Sequence, residues 1–343
     1  MNITARNAKS IDRRTPFENR SALTLESFKK EFGEYTRYII TALKSIDKAY
    51  TDKLIEQGNR VENQLRKRLE IEYPELEFRR QGSVANNTHI RYSSDVDLLV
   101  IIDKFHTLES PLEASSPYLG NTVTDLLELR KDCKKELRFA FPEADIDDQG
   151  ANSLEISGGT LYCKVDVVPA NWFDTIKYRQ TYQEFQRGIQ ILNKKEMERK
   201  TNYPFLFNEL LHQNDKARNG IPKMLIRLQK TIKADETDEG NKINFSSYDI
   251  ASIVYRMPDN YFNFNIKSPL EFIYNLLMWQ QSIIQNINSV QSQLMVVDDS
   301  RLIFDKDDKI SEFQKLFGNL LKIYNYAKAE NNDQVVLTEK HLY

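Results

Sequence analysis

The sequence contains few of the residues that build thiolate metal sites or disulfide frameworks. Its 343 residues include only two cysteines, Cys133 and Cys163, which lie far apart and form no Cys-x-x-Cys pair. The four histidines are scattered, and we interpret none of them as a metal ligand. These absences argue against a structural zinc module and against a disulfide-rich secreted domain, and they favour a reducing, cytoplasmic compartment.

The chain also lacks an excess of charge of one sign. Lysine and arginine together number 48 against 50 acidic residues, which gives a formal net charge of -2. A general nucleic-acid coat protein would be strongly basic, so this class is disfavoured, although a local basic groove is compatible with the balance. No apolar run is long enough to span a bilayer, and the polar N-terminus has no signal-peptide core, so no membrane partner is predicted.

The pattern of apolar residues predicts an α+β region followed by a helical region. Residues 1–23 are polar and are expected to form an N-terminal arm. From Thr24, a candidate N-cap, to Glu72, apolar residues recur every three or four positions, which predicts one long helix or two joined by a kink. We therefore expect a core domain at 24–203, which includes this helix, and a helical domain at 204–343.

The core domain is expected to contain a sheet. Strands are predicted at 76–81 and 95–102, and the second is apolar on both faces, as in a central covered strand. A helix at 123–141 is followed by predicted strands at 145–149, 152–157, 160–168 and 189–192. Gly158-Gly159 stands between two of these strands, which favours a hairpin. The acidic stretch 235–240, in the helical region, is expected to be an exposed loop.

Two carboxylates stand at the head of the central strand. Asp95 and Asp97 are two residues apart, so in a strand they face the same side. Like charges held this close repel each other unless a cation lies between them, and hard oxygen ligands suit Mg²⁺ or Mn²⁺. The alternative is a pair of surface acids or turn caps, although charge is costly beside a strand that is apolar on both faces.

A Gly-Ser pair precedes these acids. Gly82 lets the backbone approach a ligand closely, and the hydroxyl of Ser83 together with backbone N–H groups could cradle a polyphosphate. The alternative is an ordinary turn.

A third acid lies inside another apolar strand. Asp166 occupies one face of the segment 161–168, opposite Val165 and Val167. If this strand pairs beside the Asp95 strand, three carboxylates converge and could hold two Mg²⁺ ions about 3.5–4 Å apart, the arrangement used for nucleotidyl transfer. Asp166 would then be the general base for the attacking hydroxyl. The alternative is a buried aspartate paired with a lysine such as Lys164.

Four short motifs together carry a family resemblance. They are Gly82-Ser83, Thr88-x-Ile90-Arg91, Ser94-Asp95-Val96-Asp97 and Lys164-Val165-Asp166. With them the chain resembles the DNA polymerase β-type nucleotidyltransferases and, among these, the CD-NTases, the cyclic-oligonucleotide synthases of bacterial anti-phage defence. Animal cyclic GMP-AMP synthase and oligoadenylate synthetase are similar to this group.

The resemblance extends over about residues 25–330 in layout. It implies a nucleotidyltransferase core of mixed sheet and helices plus a C-terminal helical domain, with the active site in the cleft between them. Ser83 would contact the donor triphosphate, and Asp95 and Asp97 would hold both metal ions. Asp166 would complete the site and help to deprotonate the acceptor hydroxyl.

The same resemblance implies three nucleotide-binding residues in the helical domain. Lys223 would grip the triphosphate, the Ser247 hydroxyl would reach phosphate, and the Tyr248 ring would stack on the base, where an aromatic ring tolerates any base. The alternatives are a solvated helix lysine, a capping serine and a packed tyrosine.

The chain departs from the family pattern at two places. Asn87 replaces the second glycine of the family loop, and asparagine is the non-glycine residue that best tolerates a positive φ. The cysteine and histidine element with which the animal DNA sensor docks on duplex DNA has no counterpart, so we expect no DNA activator.

The predicted function is template-independent synthesis of a cyclic di- or trinucleotide messenger from ATP, GTP or other nucleoside triphosphates, read by a downstream effector in CBASS signalling. One alternative is transfer of a nucleotide to an RNA 3′ end, a protein or a small molecule. Another is a catalytically silent nucleotide-binding protein, which the presence of all three acids disfavours.

Overall fold

The computed structural model describes residues 32–91, 93, 95–262 and 269–330. The predicted arm at 1–23 and the Thr24 N-cap lie outside the described residues. The described part separates into two compact units. One unit consists of Lys48–Asn87 and Ser94–Leu210. The other unit consists of the described residues up to Asp47, within Thr88–Ser93, and from Leu211 onward. The domain boundaries given above stay a prediction.

The first of these, the α/β unit, combines a seven-stranded mixed sheet with helices. Its elements are α2 (Lys48–Leu69), β1 (Glu77–Gln81), α3 (Gly82–Ala85), β2 (Val96–Leu108), α4 (Thr122–Ala140), β3 (Asp145–Asp147), β4 (Leu154–Ser157), β5 (Val165–Asp174), α5 (Ile176–Thr181), β6 (Gly188–Asn193) and β7 (Glu198–Asn202). The strands are ordered β1-β2-β5-β4-β3, with β6 paired to β5 and β7 paired to β6. Strands β2 and β5 are parallel, and all the other pairs are antiparallel.

The two parallel strands form the centre of the sheet because they are apolar on both faces. On one face, Leu99, Ile101, Val168, Ala170, Trp172 and Ile189 form a buried cluster. On the opposite face, a Cβ at Gly58 of α2 would collide with the side chain of Val96, so α2 packs closely there. This packing fixes which side of β2 each residue occupies, and therefore the direction in which its acids point.

The second unit, the helical unit, is built around a buried helix. Its elements are α1 (Glu34–Leu43), α7 (Ile221–Asp238), α8 (Ser247–Tyr255), α9 (Pro269–Gln285), α10 (Ile287–Val290) and α11 (Asp308–Glu330). A further helix, α6 (Pro204–Ala217), contains the boundary between the units. Helix α7 is buried on most sides, and α1, α8, α9 and α11 all pack against it. None of the described helices is both long enough and apolar enough to cross a membrane.

The structure decides between the predicted forms of the first helical region and corrects a later element. In the described part of 24–72 there are two helices, separated between Leu43 and Lys48. The acidic stretch at 235–240 was wrongly predicted as a loop, because α7 continues to Asp238. Asp235 accepts a 2.7 Å hydrogen bond from the Tyr38 hydroxyl, so packing against α1 supplies a partner that the sequence pattern did not reveal.

Candidate active site

Acidic side chains form a row across three neighbouring strands, and a glutamine extends it on a fourth. Asp97 of β2 is the Cα partner of Asp166 of β5, and Asp166 is the partner of Glu155 of β4, while Gln81 of β1 is opposite Asp97. Cross-strand partners point to the same face, so these four side chains share one side of the sheet. Asp95 immediately precedes β2, and its charge acts on Asp166, so it lies near the row. The predicted pairing of the Asp95 and Asp166 strands is therefore confirmed.

The row lies where the apolar face of the sheet ends. Leu99 and Ile101 follow Asp97 on the same side of β2, and Val168 and Ala170 follow Asp166 on β5. The acids thus occupy the N-terminal ends of two parallel strands whose later residues are buried in the core. This placement holds the carboxylates on a rigid part of the sheet.

The pKa of Asp166 is raised well above its ordinary value. Partial burial, followed by the charges of Asp95 and Glu155, raises the pKa of Asp166 to about 6, while Lys164 opposes this shift. Asp95 is an exposed residue, but its carboxylate is partly buried, and this burial raises its pKa. The charge of Lys164 lowers the pKa of Asp95, whereas the charge of Glu155 raises it further. The site therefore holds more negative charge than its own cations neutralise, which is the condition that favours a divalent cation.

The donor set fits Mg²⁺ or Mn²⁺ in its chemistry, since it offers carboxylate oxygens alone. Within the described residues, however, no three acidic, histidine or cysteine side chains stand as a ready-made metal cluster. The Asp97 carboxylate lies against Gly82, where a Cβ would collide with its Oδ2. Asp97 and Asp166 therefore lie side by side on one face, and the described side chains do not form a ready-made metal cluster with Asp95.

The Gly-Ser segment lies beside these acids. Gly82 has a φ of +76° and begins the short helix α3, so a side chain at this position would be strained as well as obstructed by Asp97. Asn87 adopts a φ of 53°, as expected for an asparagine at the place of a family glycine. Asn86 ties the turn together by donating to the Gly82 carbonyl at 3.1 Å and to Asn208 Oδ1 at 2.6 Å.

The three other predicted site residues belong to the helical unit. The backbone N–H of Lys223 donates to Asp215 Oδ1 at 2.9 Å, and its ammonium lies 3.8 Å from Oδ2 of the same residue. Its side chain is only 12% exposed, so Lys223 is not a simple solvated lysine. Two basic residues near Lys223 in the sequence have protein partners, since Lys230 donates to the Thr88 carbonyl at 2.8 Å and Arg218 pairs with Asp259 at 2.6 Å.

Ser247 and Tyr248 begin helix α8. Ser247 is exposed, and the neighbouring Ser246 caps the helix by accepting from the Asp249 N–H at 3.0 Å. The Tyr248 hydroxyl donates to Asp298 Oδ2 at 2.5 Å, and the Arg301 guanidinium lies 5.6 Å from the centre of its ring. Burial and the charge of Asp298 raise the pKa of Tyr248, so the phenol stays protonated.

Sequence reasoning missed one acid of the row. Glu155 is the register partner of Asp166, and its carboxylate binds the Lys164 ammonium at 2.8 Å. The lysine proposed as an alternative partner for Asp166 thus has Glu155 as its ion-pair partner. The available signal was the alternation of Leu154, Glu155 and Ile156, which puts Glu155 on the face opposite the two apolar residues.

The fold and the site define a nucleotidyltransferase, and comparisons with known proteins agree. The model of the nucleotidyltransferase domain matches residues 62–148, and that of the cGAS/DncV-like nucleotidyltransferase C-terminal helical domain matches residues 208–325. A cyclic dinucleotide synthase CdnE of Yersinia aleksiciae is 39% identical over 282 residues, which cover 82% of this chain and 73% of that protein. The chain therefore belongs to the cGAS/DncV-like nucleotidyltransferases, in the CdnE group of cyclic dinucleotide synthases.

Further relatives agree over nearly the whole chain. A c-di-GMP synthase of Flavobacteriaceae sp. genome_bin_11 is 29% identical over 316 residues, covering 85% of this chain and 82% of the relative. The solved structure of a STING-associated CdnE c-di-GMP synthase from Flavobacteriaceae sp. has a TM-score of 0.78 and 25% identity, covering 97% of this chain and 99% of the other. The predicted α+β core with a helical domain, and the predicted enzyme class, are thereby confirmed.

Proposed function

We propose that Asp95, Asp97 and Asp166 hold two Mg²⁺ ions, or Mn²⁺ ions, and that these three residues are the catalytic centre of the synthase. Bound there, the ions would stabilise negative charge on the triphosphate and lower the pKa of the attacking hydroxyl. The proposal is carried by one observation: Asp97 and Asp166 are register partners at the ends of two parallel strands, and burial together with the charges of Asp95 and Glu155 raises the pKa of Asp166 to about 6.

Asp166 also suits the handling of the proton. The acceptor hydroxyl attacks the α-phosphorus of the donor, the bond to the pyrophosphate leaving group breaks, and the hydroxyl proton passes to a base. With no metal bound, the pKa of Asp166 is raised to about 6, so this carboxylate is mostly ionised at neutral pH and could accept the proton. Repeating the same transfer within the linear intermediate closes the ring and releases a second pyrophosphate.

The triphosphate and base contacts are assigned to the remaining residues. Gly82 and Ser83, at the start of α3, would meet the donor triphosphate through backbone N–H groups and the Ser83 hydroxyl. Lys223 would contribute positive charge to the triphosphate, the exposed Ser247 hydroxyl would reach phosphate, and the Tyr248 ring would stack on the base.

GTP is the proposed substrate, and a cyclic dinucleotide of guanine the proposed product. The support is that relatives matching most of this chain, in sequence and in structure, are c-di-GMP synthases. We further propose a cytoplasmic enzyme that needs neither a membrane nor a DNA activator, and whose product reaches an effector in anti-phage (CBASS) signalling.

The test is a drop-out series. The purified protein is incubated with Mg²⁺ and each of the four nucleoside triphosphates alone, in pairs and all together, with and without duplex DNA. Phosphatase-resistant products are then identified by mass spectrometry. We expect c-di-GMP from GTP alone, with a yield independent of DNA. A product that requires ATP or a pyrimidine triphosphate would contradict the choice of substrate, and label transferred to a macromolecule would contradict cyclisation.

A further inference from the structure

The ion pair between Glu155 and Lys164 lies directly beside the three acids. Glu155 is the register partner of Asp166, so its side chain is on the face that carries the metal-site carboxylates. Lys164 is two residues before Asp166, at the entrance to β5. Its ammonium lies 2.8 Å from Glu155 Oε1, and the lysine side chain is half exposed.

Lys164 is close enough to act on two of the three acids. Its charge lowers the pKa values of both Asp95 and Asp166, opposing the effects of burial and of Glu155. The ion pair that holds the ammonium is nevertheless the one with Glu155. A long, half-exposed lysine has the rotamer freedom to reach a neighbouring carboxylate when its present partner is removed.

We propose that Glu155 is a positioning residue, which keeps the Lys164 ammonium out of the cation site formed by Asp95, Asp97 and Asp166. This inference rests on the proposed function, because it takes these acids to be the binding site for divalent cations. An ammonium paired with Asp166 or Asp95 would occupy carboxylate oxygens that the metal needs. With Glu155 as its partner, Lys164 stays beside the site without competing for it.

A double-mutant cycle tests the inference by metal binding alone. Mn²⁺ affinity is measured without nucleotide, by electron paramagnetic resonance of free Mn²⁺, for wild type, Glu155→Gln, Lys164→Met and the double variant. Glu155→Gln is expected to weaken Mn²⁺ binding about tenfold, the size of a coupling between neighbouring charges. In the Lys164→Met background, the same change is expected to alter binding by less than about threefold.

Two results would overturn the inference. One is unchanged Mn²⁺ binding by Glu155→Gln; the other is an equal weakening in both backgrounds, because Glu155 would then act through its own charge. Absence of Mn²⁺ binding by the wild type would instead contradict the metal site of the proposed function. Glu143→Gln, which alters an exposed acid of the same unit, is the matched control and is expected to bind like wild type.

Thermal unfolding without metal shows which variants fold. If Glu155→Gln does not fold, the cycle is repeated with Glu155→Asp, which keeps the charge but shortens the side chain. Glu155→Asp should then weaken Mn²⁺ binding about threefold when Lys164 is present and less in the Lys164→Met background. An equal effect of Glu155→Asp in the two backgrounds would overturn the inference.

Discussion

At the scale of the residue, the site is defined by carboxylates placed where their charges are not fully neutralised. The spacing of Asp95 and Asp97 and the isolated acid at Asp166 could be found in the sequence because polar residues are conspicuous in apolar strands. For Glu155, the alternation with Leu154 and Ile156 indicates its face, but its position beside Asp166 depends on a strand register that the sequence pattern does not give. The partners of Lys223 and Tyr248 depend on tertiary packing in the same way.

The raised pKa of Asp166 predicts how stability depends on pH when metal is absent. Its pKa is about 6 in the folded protein against an ordinary value of 3.8, so the folded state binds the proton more tightly. The stabilising effect is complete below pH 3.8 and is lost as the pH rises to about 6. With chelator present, Asp166→Asn should therefore be about 1–3 kcal/mol more stable than wild type at pH 7.5.

Urea unfolding at several pH values measures this difference in the free energy of unfolding. The advantage of Asp166→Asn should shrink towards pH 4, whereas Asp145→Asn, which alters an exposed acid on β3, should show none. A wild type that is more stable than Asp166→Asn at pH 7.5 would contradict the electrostatic account of the site.

Tyr248 offers a separate prediction about base recognition. Tyr248→Ala removes the ring and should lower kcat/KM for GTP by about 10–100-fold, because stacking of a base on an aromatic ring is worth about 1–3 kcal/mol. Tyr248→Phe keeps the ring and removes the hydroxyl that donates to Asp298, so kcat/KM should fall by less than about threefold. Equal losses in the two variants would show that the hydroxyl, and not the ring, matters.

At the scale of the element, the parts that could be predicted are those with a strong apolar pattern. Strand β2 and its parallel neighbour β5 were expected, although β5 begins later than predicted and continues through Pro169, which is paired with Val100. Strand β7, residues 198–202, was missed because its sequence is polar and its burial alternates only between exposed and half-buried. As an edge strand paired only with β6, it needs no apolar face.

The turn between Ser83 and Asp95 predicts an effect of backbone conformation. Asn87 has a φ of 53°, where a β-branched residue is strained by about 1–2 kcal/mol. Asn87→Gly should keep both the free energy of unfolding and the activity of wild type, whereas Asn87→Val should lose stability and most of its activity. Met197, with a φ of 53° in the β6–β7 turn, provides the control.

Met197→Val should lose a similar amount of stability in urea unfolding while its rate of cyclic dinucleotide formation stays near wild type. If Asn87→Val kept full activity, the conformation of this turn would not matter for catalysis.

At the scale of the whole molecule, the family and the reaction class follow from short motifs, while the choice of nucleotide does not. The motifs within 81–97 and 164–169 carried the resemblance to the family, and the family's C-terminal helical domain matches residues 208–325. Base identity depends on side chains whose positions are set by folding in three dimensions. The residue roles assigned to Lys223, Ser247 and Tyr248 accordingly remain predictions that need variants.

The central claim is that Asp95, Asp97 and Asp166 carry out the synthesis of a cyclic dinucleotide. The most direct measurement is mass spectrometry of the products formed from all four nucleoside triphosphates and Mg²⁺ by wild type, Asp95→Asn/Asp97→Asn and Asp166→Asn, with pyrophosphate release followed in parallel. The account predicts a cyclic dinucleotide from wild type and less than about a thousandth of that rate from both variants, which should remain folded. Cyclic dinucleotide formation at a wild-type rate by either variant would contradict it.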